Sequence, residues 1–414
     1  MKKNKVRIAL WSLAFELNSF YIVNAVMALM IAYYGTPEQG GFSSTQVMVI
    51  ASVPGMASLA GTLSTGLLTR RFSQKAVALG ANIVLMAQAV FIIWFHESYY
   101  AVLAARAVFG LVQGMLMTVG GSLVATHFAR QQERDYVMGM RTAFQNGGGM
   151  VFSSLAGVIA AAFGWQNAFW LYMLCVIPVL LTAFWLPGDK EAKTGDRAEE
   201  GGARPSPRPI GRGTAPIAGE ALVLALGACL AMLSCYTFNL NISSKVQLSL
   251  GLSASRSGMG IMLSSFGGMV MGLFFHKAAA FLGRRTLSVG IAADGLACLI
   301  IGWAGGYPLV LLGCALFGIG YALWVPAINV RAAGCSSPEN RVLNMSLVMA
   351  GLSVGMALSP WVLQWVSGMV WGGEGLPGQR MVIAAVFCFM IAAVPWRSVL
   401  IKKIQVGERW ETND

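Results

Sequence analysis

The chain has 414 residues, of which 56% are hydrophobic and only 11% charged, with a formal net charge of +12. A soluble domain carries about 25% charged residues, so a chain this poor in charge cannot solvate the surface of a soluble fold, whereas a bilayer removes that need. The positive excess does not indicate nucleic acid, because Lys and Arg stand beside apolar runs rather than in a separate basic domain. The seven cysteines form no C-x-x-C pair and lie mostly within apolar runs, where a thiol acts as a small hydrophobe. Neither a disulfide framework, nor a metal site, nor a cofactor is expected.

A helix needs about 20 apolar residues to cross the hydrocarbon core, and twelve such runs follow one another. The first, 8–35, lacks a small-residue cleavage site followed by a polar stretch, so it reads as a retained helix rather than a removed signal peptide. It carries Glu16, and an ionisable group inside a bilayer is a functional candidate by default. Asn18, Tyr21 and Asn24 follow at i, i+3 and i+6 as a polar strip aimed at a cavity, with Ser12, Glu16 and Ser19 on an adjoining face. The second and third runs, 45–68 and 76–95, flank a loop holding Gly66, Arg70, Arg71 and Lys75. The fourth, 99–127, carries Arg106, then Gly110 and Gly114, where close helix approach is expected. The fifth and sixth are 137–162 and 166–187. Residues 188–216 are rich in Gly, Pro and mixed charge and read as a linker.

The seventh run, 217–242, contributes Tyr236 and Asn239 as cavity candidates, and Glu220 at its start reads as an interfacial charge. After the eighth, 257–276, a loop carries Gly283, Arg284 and Arg285; the ninth, 286–304, carries Asp294. In the tenth, 308–331, Trp324 and Asn329 are further substrate-cavity candidates and flank Pro326, whose missing N–H loosens a helix. The eleventh, 342–370, contains Pro360, and the twelfth is 380–398.

Charge sets the orientation. Of the 29 basic residues, all except Lys245, Arg256, Arg380 and the intramembrane Arg106 fall on one side of the twelve runs, together with the N-terminus, the linker and the C-terminal tail. The positive-inside rule then places both termini in the cytoplasm of a multi-pass protein of the plasma (inner) membrane. The halves also echo each other: Phe109-Gly110 and Phe317-Gly318, Glu133 and Glu339, Lys75 and Arg285, Ser43 and Ser253. These fit a parallel repeat of six helices.

Several motifs carry a resemblance to the major facilitator superfamily over essentially the whole chain. The loop from Gly66 to Lys75 is similar to the family's G-x-L-a-D-r-x-G-r-k, with Arg70 at the acidic position; Gly283-Arg284-Arg285 repeats it in the second half, with Ala280 at that position. Arg106 with Gly110 is similar to the family's R-x-x-x-G, and Gly164-Trp165 through Phe169 resembles its G-W-R-x-x-F turn. The resemblance implies an all-α membrane protein: twelve transmembrane helices in two pseudo-symmetric six-helix bundles, 1–187 and 217–414, joined by the linker 188–216. It also implies that helices one, four, seven and ten surround a central cavity, which gives Glu16 and Arg106 a cavity position and makes Asp294, on a peripheral helix, a third coupling candidate.

No phosphate loop, H-E-x-x-H or nucleophile elbow is present, so neither an ATP-driven pump nor an enzyme is read here. The expected function is secondary active transport of a small organic solute by alternating access, as proton-coupled export. Proton-coupled nutrient uptake is the alternative, and from a different class a non-transporting membrane sensor or scaffold. The expected substrate is neutral or weakly charged and amphipathic, because paired cavity arginines suited to an anion are lacking. The expected partners are that solute, protons and the lipid bilayer, with no nucleic acid, and the expected state is a monomer.

Overall fold

Short polar side chains start the helices where the apolar runs are interrupted. Ser43 accepts from the Gln46 N–H at 3.3 Å while Gln46 accepts from the Ser43 N–H at 2.8 Å, a reciprocal cap at the start of the second helix. Ser73 and Ser98 accept from the N–H groups of Ala76 and Ala101 and start the third and fourth. Gly164, at a φ of 91°, makes the tight reversal between the fifth and sixth helices, a conformation that L side chains rarely adopt.

The structure is a computed structural model that describes residues 2–128, 131–187, 219–334, 341–373 and 375–394. Among these, eleven helices are long and apolar enough to cross a membrane: Lys3–Tyr34, Ser44–Thr69, Gln74–Trp94, Tyr99–Val124, Tyr136–Phe163, Trp165–Trp185, Leu222–Ser249, Ala254–Leu282, Thr286–Trp303, Tyr307–Asn329 and Ser346–Trp371. A twelfth apolar helix, Pro377–Ala393, is shorter. They are called here the first to twelfth spans. The linker 188–216 and Glu339 lie outside the described residues, as do the side chains of Arg70, Arg284 and Glu220.

Three spans depart from plain α-helix. In the first, the α-helix gives way to a 3₁₀ turn at Glu16–Asn18 and resumes at Tyr21. The sixth opens with a 3₁₀ segment, Trp165–Cys175, before Val176–Trp185. The seventh ends in a π-helical turn, Lys245–Ser249. Such interruptions within a helix mark hinges or functional sites.

Close approach of small residues organises both halves. A Cβ at Gly110 would meet the Pro54 backbone, one at Gly114 the Ser58 carbonyl, and one at Gly61 the Leu111 carbonyl, so the second and fourth spans touch backbone to backbone. The second half repeats this: a Cβ at Gly318 would meet the Ser264 carbonyl and one at Gly267 the Ala315 carbonyl, joining the eighth and tenth spans. The halves meet chiefly where the fifth span packs on the eighth and the second on the eleventh. The chain is thus an all-α membrane fold of two pseudo-symmetric bundles.

Candidate functional site

A cavity of about 590 Å³ lies between the halves. From the first span it takes Leu17, Asn18, Phe20 and Tyr21, the residues at and just after the helix interruption. From the second and fourth it takes Pro54, Ser58, Thr62, Gln113 and Thr118, and from the fifth Gln145 and Asn146. The second half supplies Tyr236, Asn239, Ser264, Ser265, Phe317 and Tyr321. None of the described lining residues is Asp, Glu, Lys, Arg or His.

These residues come from the middle of the spans and from the halves nearer Lys3, the Phe72–Ser73 turn and Gly283. The opposite end is closed by contacts between the bundles. Asn24 donates to Asn239 at 3.1 Å. The Ala28 N–H donates to Ser243 Oγ at 3.3 Å, and Ser243 Oγ donates to the Ala25 carbonyl at 2.9 Å. Arg380, buried at the start of the twelfth span, donates to Ser44 Oγ at 3.0 Å at the start of the second. Side-chain hydrogen bonds between membrane helices average roughly 0.6 kcal/mol. Each bond is weak by itself, but the same end is also packed backbone to backbone, where a Cβ at Gly157 would meet the Ala254 carbonyl and one at Gly258 the Ser153 carbonyl.

Asn18, Tyr21, Tyr236 and Asn239 stand in the cavity wall. Asn24 lies behind it as the partner of Asn239, and Asn329 lies outside the wall near the end of the tenth span. The expected cavity positions of Glu16 and Arg106 are not what the geometry gives: Leu17, Asn18 and Tyr21 line the cavity, and Glu16, Ser19 and Arg106 do not. Glu16 is fully buried beside Asn82 of the third span and Cys175 of the sixth, and neither carboxyl oxygen has a geometrically sound hydrogen bond.

Arg106 is likewise buried behind the wall. Its Nε donates to the Ile50 carbonyl at 3.3 Å, its Nη1 donates to the Tyr172 hydroxyl at 3.1 Å, and it lies 4.0 Å from the Phe109 ring centroid. Among the described residues no carboxylate pairs with it; the ion pair between Arg7 and Glu133, at 3.5 Å, lies elsewhere. Tyr172 passes the connection on, donating to the Ser19 carbonyl at 3.2 Å. A 3₁₀ helix eclipses residues three apart, so Tyr172 and Cys175 share one edge of the sixth span. One edge therefore touches Arg106 through Tyr172 and Glu16 through Cys175.

Trp324 is not a cavity wall either. It is fully buried and donates its indole N–H to Asp294 Oδ2 at 2.8 Å, with Gly290 and Gly320 letting the ninth and tenth spans approach. Around the turn between the second and third spans, Gly66 meets open space and Arg71 is exposed, whereas Lys75 donates to the carbonyls of Ala183 at 2.7 Å and Leu186 at 2.6 Å. A cation at the end of the sixth span satisfies its last carbonyls. Gly283, with a φ of 53°, turns the chain into Arg285, which is exposed.

Sequence reasoning missed Gln113, Gln145, Asn146 and Arg380. The adjacent amides 145–146 inside an apolar run were the available signal; nothing local marks Arg380 as a contact of the second span.

Comparison with known proteins agrees with this geometry. The chain matches the Major Facilitator Superfamily over residues 9–222 and 224–409. Its fold is similar to that of the POT family transporter PepTSo, with a TM-score of 0.71, 15% identity and 99% of both chains covered. It is also similar to a peptide transporter POT in complex with sulfate, at a TM-score of 0.70 and 15% identity over 94% of each chain. A curated relative, the transcription regulatory protein OpdE of Pseudomonas aeruginosa, is 24% identical over 191 residues, so that the match spans 45% of this chain and 45% of that protein. The extent of the family match, together with a paired-bundle fold around a central cavity, identifies this chain as a member of the major facilitator superfamily and a transporter rather than an enzyme.

Proposed function

We propose that this chain moves a neutral or weakly charged amphipathic solute by alternating access, as proton-coupled export, with bundles 1–187 and 217–414 rocking about the cavity. The observation that carries the reading is the cavity's asymmetry: wall residues gather toward one end, and direct contacts join the bundles at the other. Glu16 is the proposed proton carrier, because a carboxyl whose burial changes between conformations changes its proton occupancy with them. The Arg106–Tyr172 connection would report the state of the first span to the sixth. The largely apolar wall with Met117, Met232, Met349 and Met356, whose flexible thioethers adapt to varied apolar surfaces, supports the amphipathic character of the solute. Proteoliposomes under an imposed pH gradient, given a panel of radiolabelled neutral amphipathic solutes, test it. Movement no faster than in protein-free vesicles sinks the transport reading, and accumulation with the proton gradient would replace export by uptake.

The partial match to a protein named as a transcription regulator favours one second reading, a membrane sensor that binds solute without moving it. Binding without flux in the same vesicles would establish it.

Two further outcomes are expected. Cross-linking Asn24→Cys to Asn239→Cys with a short, reducible bifunctional thiol reagent should cut flux at least about tenfold, because the closed end could no longer open. Reduction should restore it, and each single variant should be indifferent to the reagent. Unchanged flux in the cross-linked protein would mean that this end stays closed throughout the cycle. Both termini are proposed to be cytoplasmic, so cysteines introduced at Gly40, Gly306 and Gly373 should react with an impermeant maleimide added outside intact cells. Protection of all three would reverse the orientation.

A further inference from the structure

The cavity wall distributes its polar groups unevenly. Gln145 Nε2 donates to Asn18 Oδ1 at 3.0 Å, and Asn18 Nδ2 donates to Asn146 Oδ1 at 3.5 Å, so three carboxamides form a chain where the first and fifth spans meet. A carboxamide has two N–H donors and an oxygen with two lone pairs. These two bonds leave most of that capacity unused, on side chains that line the cavity. Across the cavity, Tyr236, Phe317 and Tyr321 supply aromatic surface. The Tyr236 hydroxyl is already committed, donating to the Ala51 carbonyl at 2.8 Å.

Charge is what the described wall lacks. Arg106 is turned to Ile50 and Tyr172 behind it, and Glu16 to Asn82 and Cys175. Burying an ammonium or carboxylate without a counter-charge costs far more than burying an amide whose hydrogen bonds are met. A solute with free ammonium and carboxylate ends finds no opposite charge here, whereas one with adjacent C=O and N–H groups finds both complements in one carboxamide. A polyhydroxylated solute fits less well, because the wall hydroxyls of Ser58, Thr62 and Thr118 already donate to backbone carbonyls.

We propose that Asn18, Gln145 and Asn146 form the head-group site for an uncharged, amide-bearing solute, and that the cavity rejects zwitterionic peptides although its fold is similar to that of peptide transporters. The inference rests on reading the cavity as the solute site, and it concerns binding rather than flux.

Titration calorimetry on the full chain in detergent, comparing N-acetyl-leucyl-phenylalaninamide with the same dipeptide bearing free termini, isolates terminal charge. The capped form should bind at least about tenfold tighter, the scale of one uncompensated polar group. Gln145→Ala and Asn146→Ala should each weaken the capped form about three- to tenfold. Asn146→Asp, which supplies a counter-charge, should tighten the dipeptide amide with a free N-terminal ammonium about tenfold. Equal or tighter binding of the zwitterion to the unmodified chain overturns the proposal, as does no binding of the capped form at millimolar concentration, or preferential binding of lactose. Binding as expected with no flux in vesicles would leave the site standing and overturn only transport.

Discussion

Gly114→Leu and Gly318→Leu are expected to abolish recovery of monodisperse protein in detergent. A Cβ alone at Gly114 would overlap the Ser58 carbonyl, and one at Gly318 the Ser264 carbonyl and the Gly268 N–H. A leucine adds three further carbons behind it. Overpacking a core against side chains costs about 1–3 kcal/mol; here the obstacle is backbone, which cannot rotate away, so the helices must separate. The lost contacts are those that hold the second span to the fourth and the eighth to the tenth, one such pair in each bundle. Gly110→Leu, against the Pro54 backbone, should behave alike. Gly80→Leu is the control: its Cβ would meet nothing within 4 Å, and Gly80 is exposed on the third span. That variant should match the unmodified chain in size-exclusion profile and thermal transition. A monodisperse peak from Gly114→Leu would show that the second and fourth spans are not in backbone contact in the protein.

Glu16→Gln should reduce proton-driven solute movement to the level of protein-free vesicles while solute exchange without a gradient persists. The substitution keeps the shape and adds an N–H donor beside Asn82, whose Oδ1 is buried without a partner, so folding is expected to be preserved or slightly favoured. What is lost is the ability to take up and release a proton. Arg106→Lys should lower flux by a different route. The guanidinium fork reaches the Ile50 carbonyl and the Tyr172 hydroxyl together, and an ammonium does not reproduce that planar geometry. Full proton-driven flux in Glu16→Gln would remove Glu16 from coupling and leave Asp294, held by Trp324, as the next carboxyl to test.

The sequence by itself determined the class of protein and much of its frame. Twelve apolar runs need a bilayer, and echoes such as Phe109-Gly110 and Phe317-Gly318 announce a repeat that the structure realises as matching backbone contacts. These features are legible because they are local or periodic: hydropathy acts over about 20 residues, and a glycine at a helix contact is needed wherever backbones touch. The polar strip of the first span was legible in part. Asn18 and Tyr21 reach the cavity, but Asn24 meets Asn239 in the closure instead.

Only the tertiary structure decided where the charges go. The family resemblance gave Glu16 a cavity position because the first span lines the cavity, but a span that lines a cavity turns only one face to it. Leu17, Asn18 and Tyr21 take the cavity side, and the carboxyl of Glu16 lies on another side of the span, toward Asn82 and Cys175 from two other spans. Arg106 was expected in the cavity and instead meets a carbonyl, a hydroxyl and a ring, because the nearest acceptors in space were set by the packing of the second and sixth spans on the fourth. Trp324 left the cavity for the same reason, since Gly290 and Gly320 bring Asp294 within reach of its N–H. The latch of Arg380 on Ser44 joins residues 336 apart in the chain. No hydropathy pattern encodes such a pair, since it exists only once the two bundles have been brought together.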